Sequence, residues 1–295
     1  MFLDICKNLD FPAEAVEVLV QGLDQIRTDA AAVQDLQKAV NSLMTPECDE
    51  YLQLMQRISD QTGVHRYVVD MVVLLLAVEP LKVRYEQRGL PEQLMWDSMA
   101  DLRYKLIECK DVYNIWGTFV TPWFKWFYTC NRFKLGRLEF EKTCFYREES
   151  YRGVSKGDPV VNIHIPSAGP LTRESVLDSL HLAYEFYKED AVVDGLMTFT
   201  CHSWLLYPPH YEEVFPAGSN LRKFYELFDV LEGKAGENNG DFWRVFNRDY
   251  DPDILDQVPA DTALRRNLLS YIKAGKRMGS SLGVIRYDGE KIVHA

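Results

Sequence analysis

In the first third of the chain the apolar positions recur at helical spacing. In "PAEAVEVLVQGLDQI", Val16, Leu19, Val20 and Leu23 fall on one side of a 3.6-residue repeat, and Pro12 suits a first turn. "TPECDEYLQLMQRISDQTG" opens on Thr45, Pro46 and Glu47 and closes on Gly63, which are start and stop signals for a second helix. "VVDMVVLLLAV", residues 68–78, is apolar almost all round and predicts a buried helix that Pro80 ends or kinks. A further helical stretch runs from Pro91 to about Lys110. The pattern then changes. Residues 113–133 are dense in aromatics, and beyond them short runs alternate as strands do: "LGRLEFEKTCFY", "PVVNIHIP", "LMTFTCHSWLLYP", "FWRVF" and "SLGVIRYDGEKIV". Asp288-Gly289 marks a hairpin turn in the last of these. Helices are expected at 172–189, 219–229 and 261–275, and a polar, glycine-rich loop at 232–241. The expected fold is α+β: an all-helical domain over 1–112, then a mixed β-sheet domain flanked by helices over 113–295.

Composition narrows the function classes. A chain of 295 residues with 47% hydrophobic residues suits two domains. The net charge of −11 is spread without a basic stripe, which argues against a nucleic-acid partner. The longest apolar run is about half the length of a membrane span and holds Asp70, so no membrane partner is expected. Six cysteines at irregular spacing, with no CxxC and no secretory leader pattern, predict free thiols in the cytoplasm.

The candidate chemistry gathers around residues 162–206. "NIHIPSAGPLTRESVLDSL" reads as a strand, a loop and an amphipathic helix capped by Thr172. A helix N-terminus favours an anion, and Ser167, Ala168 and Gly169 would let one approach the backbone, whereas Pro170 removes a donor. A plain strand-to-helix connection fits the same residues. On the next strand, alternation puts Thr198, Thr200, His202 and Trp204 on one face and Cys201 on the other. His202 is a candidate base, and His164 on the neighbouring strand can face the same side. Glu139 and Glu141 share a face from which a carboxylate could bind or deprotonate an amine. Adjacent Cys201 and His202 point apart, which argues against a thiol hydrolase. Cys201, His202, His210 and His164 lack metal-ligand spacing, so no metal is expected.

The order "FKLGRLEFE", "IHIPSAGPLT", "CHSWLL", "GSNLRKFYELF" resembles the GNAT superfamily of acyl-CoA N-acyltransferases. In particular it resembles bacterial two-domain members with a helical N-terminal domain. The resemblance implies a co-substrate, acetyl-CoA or another acyl-CoA, and a small amine as acceptor. It implies that the N–H near Ile165 polarises the thioester carbonyl. The pyrophosphate would sit on the amides of Ser167, Ala168, Gly169, Leu171 and Thr172. The helix beginning near Asn220 would carry Tyr225 as proton donor to the leaving thiolate, with His202 and Glu141 as candidates for the base. The loop lacks the family's leading Gln or Arg and its second glycine, which keeps open a second expectation: a GNAT-like binding or regulatory protein without turnover.

Overall fold

The computed structural model describes residues 1–293. It contains two compact units, Met1–Lys134 and the chain from Leu135 onward.

The first unit is helical: α1 (Phe2–Asn8), α2 (Ala13–Arg27), α3 (Ala30–Met44), α4 (Glu50–Thr62), α5 (Arg66–Leu76), α6 (Val78–Gln87), α7 (Glu92–Met99), α8 (Asp101–Tyr113), a 3₁₀ turn at Thr121–Phe124 and α9 (Lys125–Tyr128). Helix α5 is its core, with every residue from Val68 to Leu75 buried. It stops at Leu76, four residues before Pro80, as the clash of a proline ring with the i−4 carbonyl requires. Asp70 is buried in this helix and is held by the Arg66 guanidinium and the Thr121 hydroxyl. Burial still pushes its carboxyl above the usual range. Helix α4 closes on Gly63, whose φ of 71° suits glycine.

The aromatic segment belongs to this unit. Phe124, Phe127 and Tyr128 are fully buried, Tyr128 donates to the Leu74 carbonyl at 2.5 Å, and Arg132 lies over the Trp123 ring at 4.2 Å. The unit boundary therefore follows Lys134, beyond the composition change at 112/113. These rings pack inward among helices instead of opening the sheet domain.

The second unit is built on one sheet. Its strands are β1 (Arg132–Leu135, at the boundary), β2 (Leu138–Cys144), β3 (Pro159–His164), β4 (Val192–Val193), β5 (Leu196–Ser203), β6 (Asp229–Ala235) and β7 (Gly279–Tyr287). Their order is β1-β2-β3-β5-β7-β6, with β4 paired to β5. Between them lie α10 (Arg173–Ala191), α11 (Asn220–Tyr225), α12 (Trp243–Phe246) and α13 (Ala263–Lys273). Helix α10 packs on β2, β3 and β5 through buried Val176, Leu180, Ala183 and Tyr187. It covers the sheet face that carries Phe140, Phe199 and Tyr287, whose rings are in contact. The opposite face alternates towards Glu141, Asn162, Thr200 and Val284, which the strand registers align in one row.

Three expectations are corrected. "FWRVF" forms the one-turn helix α12 rather than a strand, with Phe242 stacked on Phe246 at 4.2 Å. Residues 229–235, expected partly as loop, form β6 against β7. After Asp288-Gly289 the chain turns as predicted, with Asp288 accepting from the N–H groups of Glu290 and Lys291, but among the described residues the return forms a single bridge, Tyr287 with Ile292, in place of a strand. Among the described residues no helix is long and apolar enough to cross a membrane.

Candidate active site

The site begins where β3 and β5 part. Both are held on their outer edges: β3 pairs with β2 through His164, and β5 pairs with β7 through Ser203. Towards each other they pair only at Val161↔Phe199 and Asn162↔Thr200. The last residues of both strands thus pair outward and not with each other, and this unladdered seam is the slot.

A chain of polar side chains lies beside the slot. The His164 Nε2 lies 3.0 Å from Glu141 Oε2, Asn162 Nδ2 lies 3.2 Å from the same ring nitrogen, and the Thr200 hydroxyl donates to Asn162 Oδ1 at 3.2 Å. The His164 and Glu141 side chains are only 15% and 14% exposed. A carboxylate accepts and cannot donate. Towards the carboxylate Nε2 must carry a proton, and towards the Asn162 amide N–H it must be bare, so the ring nitrogen serves these two neighbours in different protonation forms. His202 stands on the same face but is exposed, and its Nε2 lies 3.3 Å from the Ser280 hydroxyl, towards β7.

The loop follows at once. Ile165, after the last strand residue, makes no backbone hydrogen bond from its N–H among the described residues. The same holds for the N–H groups of Gly169, Leu171 and Thr172. Thr172 caps α10 by accepting from the Ser175 N–H at 3.2 Å. Gly169 has φ +83°, and a Cβ there would meet nothing within 4 Å, so the loop is open above it. One expected donor is corrected: the Ala168 N–H is spent on the Pro166 carbonyl at 2.8 Å. Ser167 is exposed on the same loop.

Ser219 caps the helix α11 by accepting from the Arg222 N–H, and α11 packs on α10 and on the turn after β5. Asn220 is its first residue and is half-buried. Phe224 turns inward onto Phe228. Tyr225 instead stacks on Tyr211 at 4.4 Å, and burial pushes its phenol up, so it stays protonated at neutral pH.

One alternative is excluded. Cys201 is buried on the face opposite His202, and burial pushes its thiol up to about 12, so it is no nucleophile. Among the described residues no group of three His, Cys, Asp or Glu side chains is arranged to hold a metal. His210, the other histidine considered, is buried among Trp204, Tyr207, Phe215 and Tyr271 with its Nδ1 on the Trp204 carbonyl. Asn162 was not a sequence candidate. Its place two residues before His164 on an alternating strand was the available signal.

Residues 133–285 match the family model of the GNAT-like C-terminal domain. The chain belongs to the GNAT-like acyltransferases. Residues 2–130 match the N-acyltransferase N-terminal domain, so the two models meet close to the division between the compact units. As expected of a GNAT-like acyltransferase, the chain resembles solved acyltransferases. One is in complex with decanoyl-CoA and teicoplanin, at TM-score 0.75 and 21% identity over 96% of this chain and 86% of that one. Another is in complex with decanoyl-CoA, at TM-score 0.74 and 22% identity over 95% and 86%. At such identities the likeness is one of fold. No curated protein matches the chain.

Proposed function

We propose that this GNAT-like protein transfers an acyl group from an acyl-CoA to the amino group of an acceptor, with His164 as base. The single observation that carries the proposal is the parting of β3 and β5 beside the Glu141–His164–Asn162–Thr200 chain. The slot suits an extended pantetheine arm. The unspent amides of Gly169, Leu171 and Thr172, above an open glycine at a helix N-terminus, suit a pyrophosphate.

In this scheme the neutral His164 imidazole takes a proton from the attacking amine, and Glu141 stabilises the imidazolium. The Ile165 N–H donates to the oxyanion that forms at the thioester carbonyl. The C–N bond forms, the C–S bond breaks, and Tyr225 gives its proton to the departing sulfur. His202, exposed and turned towards Ser280, takes no part in the relay. That acyl-CoA complexes are known for similar folds supports the donor class. Acetyl is the donor expected from sequence, whereas similar structures hold decanoyl-CoA or octanoyl-CoA, one of them together with teicoplanin, so a longer acyl group and a larger acceptor belong in the test.

The test is a release assay for free CoA thiol, run with a series from acetyl-CoA to decanoyl-CoA against small amines and amino sugars, paired with calorimetry using CoA. Thiol release that depends on an amine supports the proposal. No binding and no release with any donor would sink it. A second reading, binding without turnover, is favoured by the spent Ala168 donor and by Pro170, and it predicts heat with CoA and no release.

A further inference from the structure

Arg137 lies in the turn between β1 and β2, far in sequence from the loop at 165–172. Its backbone is pinned first. Gly136 has φ +72°, and a Cβ there would lie 2.7 Å from Ser179 Oγ, so the turn sits tightly on α10. The Arg137 N–H donates to that hydroxyl at 2.7 Å, and the hydroxyl donates to the Ser175 carbonyl at 2.7 Å. From this anchor the guanidinium reaches three carbonyls of the loop: Pro166 from Nη1 at 2.8 Å, Gly169 from Nη2 at 2.9 Å and Pro170 from Nε at 3.3 Å.

The orientation of those carbonyls has a consequence. In a trans peptide the C=O and the following N–H point opposite ways. Turning the Pro166 and Pro170 carbonyls towards Arg137 turns the N–H groups of Ser167 and Leu171 away from it, outward from the loop. The Gly169 carbonyl belongs to the peptide whose nitrogen is Pro170, which has no N–H to offer. That peptide is the one whose absent donor costs nothing, because its useful group is the carbonyl facing the arginine.

We infer that Arg137 is the positioning residue of the pyrophosphate loop. A rigid fork from the β1–β2 turn holds the amides in a donating array, which takes over the shaping role of the family's missing second glycine. The inference rests on the acyl-CoA proposal for what the loop binds. It does not rest on it for the clamp itself.

The test compares wild type with Arg137→Ala and Arg137→Lys. Calorimetry measures CoA affinity, turnover is followed with an acyl-pantetheine that lacks the pyrophosphate, and amide exchange is followed in the ligand-free protein at Ser167, Gly169 and Leu171. Both variants are expected to weaken CoA binding by about 10-fold, because lysine keeps the charge but not the planar fork. Acyl-pantetheine turnover should change by less than about 2-fold, since no phosphate is held. Loop amides should exchange faster in both variants. CoA affinity unchanged in Arg137→Ala, or fully restored by lysine, would overturn the inference. If wild type binds no CoA, the acyl-CoA proposal fails. Loop exchange then decides the clamp alone, and unaltered exchange in both variants would overturn that too.

Discussion

Strand β5 has two edges, and they are built differently. Towards β7 it pairs at seven positions, from Met197↔Tyr287 to Ser203↔Ser281. Towards β3 it pairs at two. The closed edge faces buried apolar residues of β7 such as Ile285 and Leu282, so it fixes β5 in the sheet. The open edge carries Asn162, His164 and Thr200 in hydrogen-bond contact, so its side chains serve chemistry. One strand thus acts as scaffold on one side and as wall of a site on the other, and its two sides should fail differently when altered.

The largest effect is expected on the open side. His164→Ala should lower kcat by about 10²–10⁴-fold with the fold intact, as removal of a general base does. Steady-state turnover beside a thermal melt separates the two effects. On the closed side, Ile285→Ala should cost about 2–5 kcal/mol of stability in denaturant unfolding while CoA affinity of the folded protein stays unchanged. If CoA affinity fell with it, the two sides would not be separable. Gly169→Asp is expected to raise the Kd for CoA by about 10-fold, through a strained left-handed backbone and a carboxylate set against phosphate. His202→Ala, exposed and turned towards Ser280, should change kcat by less than about 3-fold. A loss equal to that of His164→Ala would move the base to His202. The smallest effect is a null one. With its thiol pushed up to about 12, Cys201 is ionised at pH 8 only to the order of 1 part in 10⁴, and burial shields it further. Iodoacetamide should leave it unlabelled in folded protein, as mass spectrometry of its peptide reads. Labelling should begin only on unfolding, after which the rate should rise as pH climbs towards the ordinary thiol range.

The helices of the first unit are written in local periodicity, and the α5 break at Leu76 follows from one proline. The aromatic segment misleads about the boundary because density of rings says that packing occurs, not against what. Trp243–Phe246 resembles a strand because four residues are too few to reveal a period. Strand β6 is hidden by its glycine, lysine and acidic residues. Its pairing with β7 is what makes it a strand. In the site, His164 and Glu141 are each visible as candidates. Their 3.0 Å contact depends on the β2–β3 register, which no short window contains. Asn162 carries only the faint signal of its place on the face of His164, and Arg137 carries none, since an arginine after a glycine is commonplace. Their meaning comes from which backbone or ring lies opposite.

The divergence of β3 from β5 also puts an unzipped edge in the middle of a sheet. Such an edge is ordinarily confined to the rim, where natural sheets shorten, bulge or cover it. Here the facing backbone groups of the last residues of both strands have no ladder partner in each other. An extended ligand with amide groups of its own would close that seam as a splint closes a split. Whatever binds there must then also bind less well to the unfolded chain, so occupancy and folding stability are linked. The melting temperature of this protein should climb with ligand concentration and keep climbing, about in proportion to its logarithm, once the ligand exceeds its Kd.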